Sequence, residues 1–216
     1  MHFKDRRDAG RKLSHLLKQY KGEDTVVYAL PRGGVVVAEE IAAFLHAPLD
    51  LIFAHKIGHP YQPEYAIAAI SEKGHIIKSS RELDLLGEAW LERAKKNQLD
   101  EIKRKRELYL KEKKDILVKN KIAIIVDDGI ATGLTMKAGI QELKDRHPKK
   151  IIVAVPIAPR STANAMKALA DDFAGFEIDD YHFLGSVGAY YDKFDQVEDA
   201  EVIKILNNFD KNLGTV

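Results

Sequence analysis

The chain alternates between short apolar runs and longer segments in which apolar residues recur every three or four positions. The short runs, rich in Val and Ile, predict β-strands, and the periodic segments predict amphipathic helices. We predict strands in the apolar runs at residues 25–30, 49–54, 66–70, 75–78, 122–126 and 151–155. We predict helices at residues 5–20, 35–46, 134–146, 161–170 and 200–209. This alternation indicates an α/β fold with an open, mainly parallel sheet flanked by helices.

The segment 82–119 interrupts the alternation, because it carries only a narrow apolar stripe on a charged helical face. We predict a long helical insertion here. Between residues 93 and 114, ten basic side chains are opposed by only four acidic ones. We favour a solvated helical face as the interpretation, and a nucleic-acid-binding surface is the alternative.

Composition favours the first interpretation and narrows the class of protein. The 216 residues include 34 basic and 33 acidic side chains, a net charge of +1, which is not the charge of a strongly basic nucleic-acid-binding protein. The absence of cysteine excludes disulfides, thiolate metal sites and cysteine nucleophiles. No apolar run approaches the ~20 residues of a membrane span, and the charged N-terminus lacks a signal-peptide pattern. We expect residues 1–216 to form a single domain of a soluble, cytoplasmic protein that does not contact membranes.

The strongest candidate site is the stretch 123–135, with the sequence AIIVDDGIATGLT. A buried strand ends there in two carboxylates, Asp127 and Asp128, and a glycine-containing loop leads into a helix. Ligands bind at such strand ends in open α/β sheets, and a loop before a helix N-terminus favours phosphate. The carboxylates suit sugar hydroxyls or a divalent cation, so a sugar phosphate fits the pattern.

This stretch resembles the phosphoribosyl pyrophosphate motif of type I phosphoribosyltransferases over all thirteen positions. Its one departure is Gly129, where many members have an aliphatic residue. The resemblance implies that Asp127 and Asp128 hold the ribose hydroxyls, and Mg²⁺ indirectly through the substrate. It also implies that a loop wraps the 5′-phosphate. The residues of this loop are Ala131, Thr132, Gly133, Leu134 and Thr135, and Gly129 and Ile130 before it are further substrate-binding residues in the same resemblance.

A second segment, LPRGG at residues 30–34, follows the first predicted strand and resembles the pyrophosphate loop of the same family. In this interpretation Arg32, Gly33 and Gly34 bind pyrophosphate, and the Pro31–Arg32 peptide bond is cis. Lys56 is a further pyrophosphate candidate, although a solvated lysine at the end of a strand explains it equally well.

The resemblance implies a Mg²⁺-dependent enzyme of nucleotide metabolism that transfers a phosphoribosyl group from phosphoribosyl pyrophosphate to a nitrogen acceptor, with Arg32, Asp127 and Asp128 as catalytic residues. The acceptor could be a nucleobase, and a homodimer is the habit of the family. The segment 82–119 lies where the family has its mobile active-site loop, so we expect it to cover the site. The alternative function is a non-catalytic or regulatory protein that senses phosphoribosyl pyrophosphate or a nucleotide.

The remaining patterns are weaker. His55 and His59 lie four residues apart, but the intervening Gly58 opposes a helix, so we expect loop residues and not a metal pair. Five aromatic residues cluster near the C-terminus, and core packing is their default explanation, with stacking on an aromatic acceptor as the alternative. They are Tyr181, Phe183, Tyr190, Tyr191 and Phe194.

Overall fold

Five parallel strands form the central sheet in the computed structural model, which describes residues 1–79, 82–111, 113 and 116–213. They are β1 (Thr25–Ala29), β2 (Leu49–Leu51), β6 (Ile122–Val126), β7 (Lys150–Pro159) and β8 (Asp172–Ile178). Their order across the sheet is β2-β1-β6-β7-β8, and every pairing is parallel. The predicted α/β class and mainly parallel sheet are confirmed.

Helices cover both faces of this sheet. The first face packs α1 (Arg6–Leu16), α2 (Gly33–Leu45) and α7 (Asp199–Leu213), and the second packs α5 (Leu134–Lys144) and α6 (Arg160–Lys167). Alternate residues of β6 point to the two faces, with Ile124 in the first layer and Ile125 in the second. Because both layers are apolar, the strand reads as one continuous hydrophobic run.

A second, antiparallel sheet was not predicted. It consists of β3 (Ala54–His59), β4 (Gln62–Ser71) and β5 (Ile76–Lys78), in that order. The apolar run at 49–54 is therefore divided between two sheets, since β2 ends at Leu51 and β3 begins at Ala54. In β3 the buried Ala54 and Ile57 are separated by the more exposed His55 and Lys56. His55 and Lys56 are thus accessible enough to line a site.

The predicted insertion contains two helices, the short α3 (Glu82–Leu85) and the 23-residue α4 (Glu88–Leu110). Gly87, with φ of 80°, lies between them, and α4 ends at Leu110, short of the predicted limit at 119. Residues 112, 114 and 115 of this segment lie outside the described part of the chain. Buried Ile102, Tyr109 and Leu110 join α4 to the apolar core of the first face, and α4 itself contacts β3, β4 and α7.

The strand β8 was missed because its sequence, DFAGFEI, mixes charged and small residues with apolar ones. The helix α6 also differs from its prediction, since it ends at Lys167 and not at residue 170. Within the described ranges, no helix is both long enough and apolar enough to cross a membrane.

Candidate active site

A cavity of about 750 Å³ opens where the carboxyl ends of β1 and β6 meet the second sheet. This volume lies within the range of small-molecule sites. Nine of the thirteen predicted site residues line it: Lys56, Asp127, Asp128, Gly129, Ile130, Ala131, Thr132, Gly133 and Thr135. The other four, Arg32, Gly33, Gly34 and Leu134, are outside the lining.

The two carboxylates at the end of β6 are held differently. Oδ1 of Asp127 accepts a 2.9 Å hydrogen bond from the backbone N–H of Asp128. Burial and the neighbouring Asp128 charge raise the pKa of Asp127 well above its ordinary value. Burial also raises the pKa of Asp128, and Arg6 opposes that increase. The pair is therefore costly to bury and would be stabilised by a cation or by hydroxyl donors.

Arg6, which sequence reasoning missed, is the partner of Asp128. Its Nε donates a 2.7 Å hydrogen bond to Oδ2 of Asp128, and the two side chains are only 11% and 15% exposed. The guanidinium also lies 3.8 Å above the centre of the Phe194 ring. The hydroxyl of Tyr191 donates to the Asp128 backbone carbonyl at 2.6 Å. Helix α1 and the C-terminal aromatic residues thus fix the orientation of Asp128.

The loop after the carboxylates has two glycines in conformations that side chains disfavour. Gly129 has φ of 144°, and a Cβ there would lie 2.4 Å from Val187. Gly133, with φ of 69°, leads into α5. The side chains of Ile130 and Leu134 are buried in the core, so only their backbone groups can reach a ligand. The first turn of α5 thus presents backbone N–H groups to the cavity side.

The loop at residues 30–34 lies against the carboxylates, as the sequence predicts. The Pro31–Arg32 peptide bond is cis, which confirms the prediction. A Cβ on Gly33 would lie 1.9 Å from Oδ2 of Asp128, so only glycine permits this close approach. The Arg32 side chain extends to the start of α7, where its Nη1 is 3.5 Å from Asp199 and 3.8 Å from Glu198.

The wall of the cavity on the side of the second sheet is polar and holds two lysines and one carboxylate. It contains His55 and Lys56 from β3, Glu64 and Tyr65 from β4, and Gln98 and Lys105 from α4. Nδ1 of His55 lies 3.2 Å from Oε1 of Gln98, and burial lowers the pKa of this histidine. Both His55 and His59 belong to a strand and not to a loop, and His59 packs near Tyr61. In the described part of the chain, no group of three or more His, Cys, Asp or Glu side chains could hold a metal ion.

An uncharged wall of the cavity comes from the C-terminal loop. Gly185, Ser186, Val187 and Phe194 line it. Two residues of the aromatic group, Tyr190 and Tyr191, are buried with Phe3 in a small core, which confirms the default explanation for them. Tyr181, by contrast, is 98% exposed.

Comparisons with known proteins agree with this geometry. Residues 4–192 match the phosphoribosyl transferase domain family. Two relatives from strains CDC 1551 and H37Rv of Mycobacterium tuberculosis, each with the provisional name phosphoribosyl transferase, are 38% identical over 211 residues. The match covers 95% of this chain but only 46% of each relative, so the chain spans about half their length. The crystal structure of TT1426 from Thermus thermophilus superposes with a TM-score of 0.80 at 35% identity, covering 97% of this chain and 99% of that one.

Proposed function

Because the chain belongs to the phosphoribosyl transferase domain family, we propose that it transfers the 5-phosphoribosyl group of phosphoribosyl pyrophosphate to a nitrogen acceptor and releases pyrophosphate. The observation that carries the proposal is the buried carboxylate pair, Asp127 and Asp128, beside the glycine-containing loop before α5 in one cavity. Carboxylates beside an anion-binding loop suit a ligand that carries hydroxyls and phosphate together.

The 5′-phosphate would lie in the loop from Gly129 to Thr135. Backbone N–H groups at the start of α5 and the hydroxyls of Thr132 and Thr135 are its donors. The backbone carbonyl of Ala131 already accepts a 2.6 Å hydrogen bond from the Thr162 hydroxyl. This bond supports the loop from outside the cavity.

The ribose hydroxyls would bind Asp127 and Asp128. The charged form of Asp127 would be stabilised most, because it is buried beside another carboxylate. A hydroxyl donor or a cation would offset this electrostatic cost. Asp128 already accepts from Arg6 through Oδ2, which leaves Oδ1 for the sugar. The pair would therefore hold the ribose by its hydroxyls beside the phosphate-binding loop.

These residues also fit Mg²⁺, the cofactor we propose. Carboxylate oxygens are hard ligands, and Mg²⁺ is commonly held by one or two carboxylates together with substrate phosphates. Asp127 and Asp128 would hold it in this way, mostly through the substrate. When bound, Mg²⁺ neutralises charge on pyrophosphate as it leaves.

In the transfer itself, the bond between ribose carbon 1 and pyrophosphate breaks, and its electron pair leaves with pyrophosphate. The acceptor nitrogen forms a bond to the same carbon and releases its proton to solvent or to the departing pyrophosphate. The chain contributes positioning and exclusion of water. The helical segment 82–119 would cover the cavity, since Gln98 and Lys105 of α4 already line it. The uncharged wall around Val187 and Phe194 favours a neutral, flat acceptor such as a nucleobase.

Pyrophosphate release tests the proposal against the alternative of a regulatory sensor. The purified protein is incubated with Mg²⁺, phosphoribosyl pyrophosphate and a panel of nucleobases and amines, and pyrophosphate is measured continuously. An enzyme releases pyrophosphate only when its acceptor is added, and the Asp127→Asn/Asp128→Asn variant does not. Tight binding of phosphoribosyl pyrophosphate without release under any acceptor would identify a sensor and overturn the enzymatic proposal.

A further inference from the structure

The two ends of the cavity differ in charge. We call His55, Lys56, Gln98 and Lys105 the cationic wall. This wall lies on the side of the second sheet and α4, and Glu64 of β4 is the carboxylate beside it in the lining. The uncharged wall offers no cation, so the anionic end of a ligand is favoured beside Lys56 and Lys105.

Arg32, the cation expected to contact pyrophosphate, does not line the cavity. Its guanidinium lies 3.5 Å from Asp199 and 3.8 Å from Glu198 at the start of α7. Asp199 is itself fixed by a 2.5 Å hydrogen bond from the Tyr109 hydroxyl. Arg32 must leave these two carboxylates before its side chain can reach a ligand.

Lys105, unlike Arg32, is already at the cavity. It lines the cavity, its side chain is only 21% exposed, and its ion pair with Oε1 of Glu101 is long, at 3.9 Å. Glu101 is meanwhile engaged by Arg104 in two hydrogen bonds of 2.7 and 2.8 Å. Burial lowers the pKa of Lys105, the Glu101 charge opposes this decrease, and the nearby Arg32 charge adds to it. An anion beside Lys105 would therefore offset an existing electrostatic cost.

The position of Lys105 is fixed by the contacts of its helix. Residues on both sides of it in α4 are anchored, Gln98 beside His55 and Tyr109 on Asp199. Arg106, the next residue, lies 3.1 Å from Glu72. Lys105 is therefore held at the cavity by a helix that is anchored on both sides of it. Ligand binding then costs little conformational entropy in this segment.

We propose that Lys105, together with Lys56, binds the pyrophosphate group of the donor, so that the inserted helix supplies the charge that the Arg32 side chain does not. This inference rests on the proposed function, since the donor is phosphoribosyl pyrophosphate. It makes Lys105 a substrate-binding residue and α4 part of the donor site.

Calorimetry with three probes tests the inference: phosphoribosyl pyrophosphate and pyrophosphate, each with Mg²⁺, and ribose 5-phosphate, which lacks the pyrophosphate group. Lys105→Gln and Lys105→Met are compared with Lys103→Gln, which removes the same charge from an exposed position of α4 outside the cavity. We expect both Lys105 variants to bind the two pyrophosphate-containing probes about 10- to 100-fold more weakly than the wild type does. Their affinity for ribose 5-phosphate, the Lys103→Gln affinities and the circular dichroism of all variants should match the wild type.

The outcomes separate the two proposals. If wild-type protein binds phosphoribosyl pyrophosphate and both Lys105 variants bind it within about twofold of wild type, Lys105 does not contact pyrophosphate and the inference is wrong, while the proposed function stands. An equal loss for ribose 5-phosphate would also overturn it, because the effect would not be specific to pyrophosphate. If wild-type protein binds none of the probes, the proposed function itself fails.

Discussion

The hydroxyl of Tyr109 donates a 2.5 Å hydrogen bond to Oδ1 of Asp199. Tyr109 is near the end of α4 and Asp199 begins α7, so this bond joins the inserted helix to the C-terminal helix. The same oxygen lies 3.5 Å from Nη1 of Arg32. One carboxylate thus connects both helices to the loop that precedes α2, and the insertion is anchored at the edge of the candidate site.

We predict that Tyr109→Phe destabilises the protein by about 1–3 kcal/mol, because a hydrogen bond to a carboxylate is lost at a buried position. Urea unfolding followed by circular dichroism measures the change. Tyr61→Phe is the matched control, since Tyr61 is 86% exposed and its hydroxyl should contribute nothing measurable. Equal unfolding midpoints for wild type and both variants would show that the Tyr109–Asp199 bond does not stabilise the fold.

The sequence predicted the parts of the site that are continuous along the chain. Residues 122–126 are apolar at every position because both faces of β6 are covered, and that pattern is visible without a structure. The cis bond at Pro31–Arg32 also follows from the family resemblance, whereas the close approach of Gly33 to Asp128 is visible only in the structure.

The sequence could not predict partners that are distant along the chain. Arg6 and Asp128 are 122 positions apart, and nothing in a charged N-terminal helix identifies which carboxylate it meets. Asp199 likewise accepts a hydrogen bond from Tyr109, which lies 90 positions earlier in the chain. Gly129, the one departure from the family motif, is explained only by the packed structure, because Val187 occupies the space that a side chain would need.

We predict that hypoxanthine and guanine are not acceptors. The third residue after the acidic pair is usually an aspartate in the 6-oxopurine branch of the family, where it accepts a proton from the attacking nitrogen. Here that residue is Ala131, which lines the cavity with a methyl group. Loss of such a base typically costs about 10²–10⁴ in rate. A spectrophotometric assay with adenine in parallel tests this, and conversion of either oxopurine at about 10 per second or faster would refute it.

We predict that the basic face of α4 does not bind nucleic acid. Several of its cations are already paired, with Lys95 2.7 Å from Glu92 and Arg106 3.1 Å from Glu72. The chain as a whole carries a net charge of only +1. A gel-shift assay at physiological salt, with a known basic DNA-binding protein as positive control, should show no sub-micromolar complex with DNA or RNA. A complex that weakens steeply as salt increases would favour the nucleic-acid interpretation.

The most direct test of the proposed site is calorimetry of phosphoribosyl pyrophosphate with Mg²⁺ on wild-type protein and the Asp127→Asn/Asp128→Asn variant. The fold should survive, because asparagine keeps the size and one acceptor oxygen of each carboxylate, although Arg6 loses its ion pair. Asp100→Asn, a neutralisation at an exposed position of α4, is the matched control. We predict binding by wild type and by the control and none by the double variant, with unchanged circular dichroism. Equal affinity in the double variant would contradict the assignment of the carboxylate pair as the donor site.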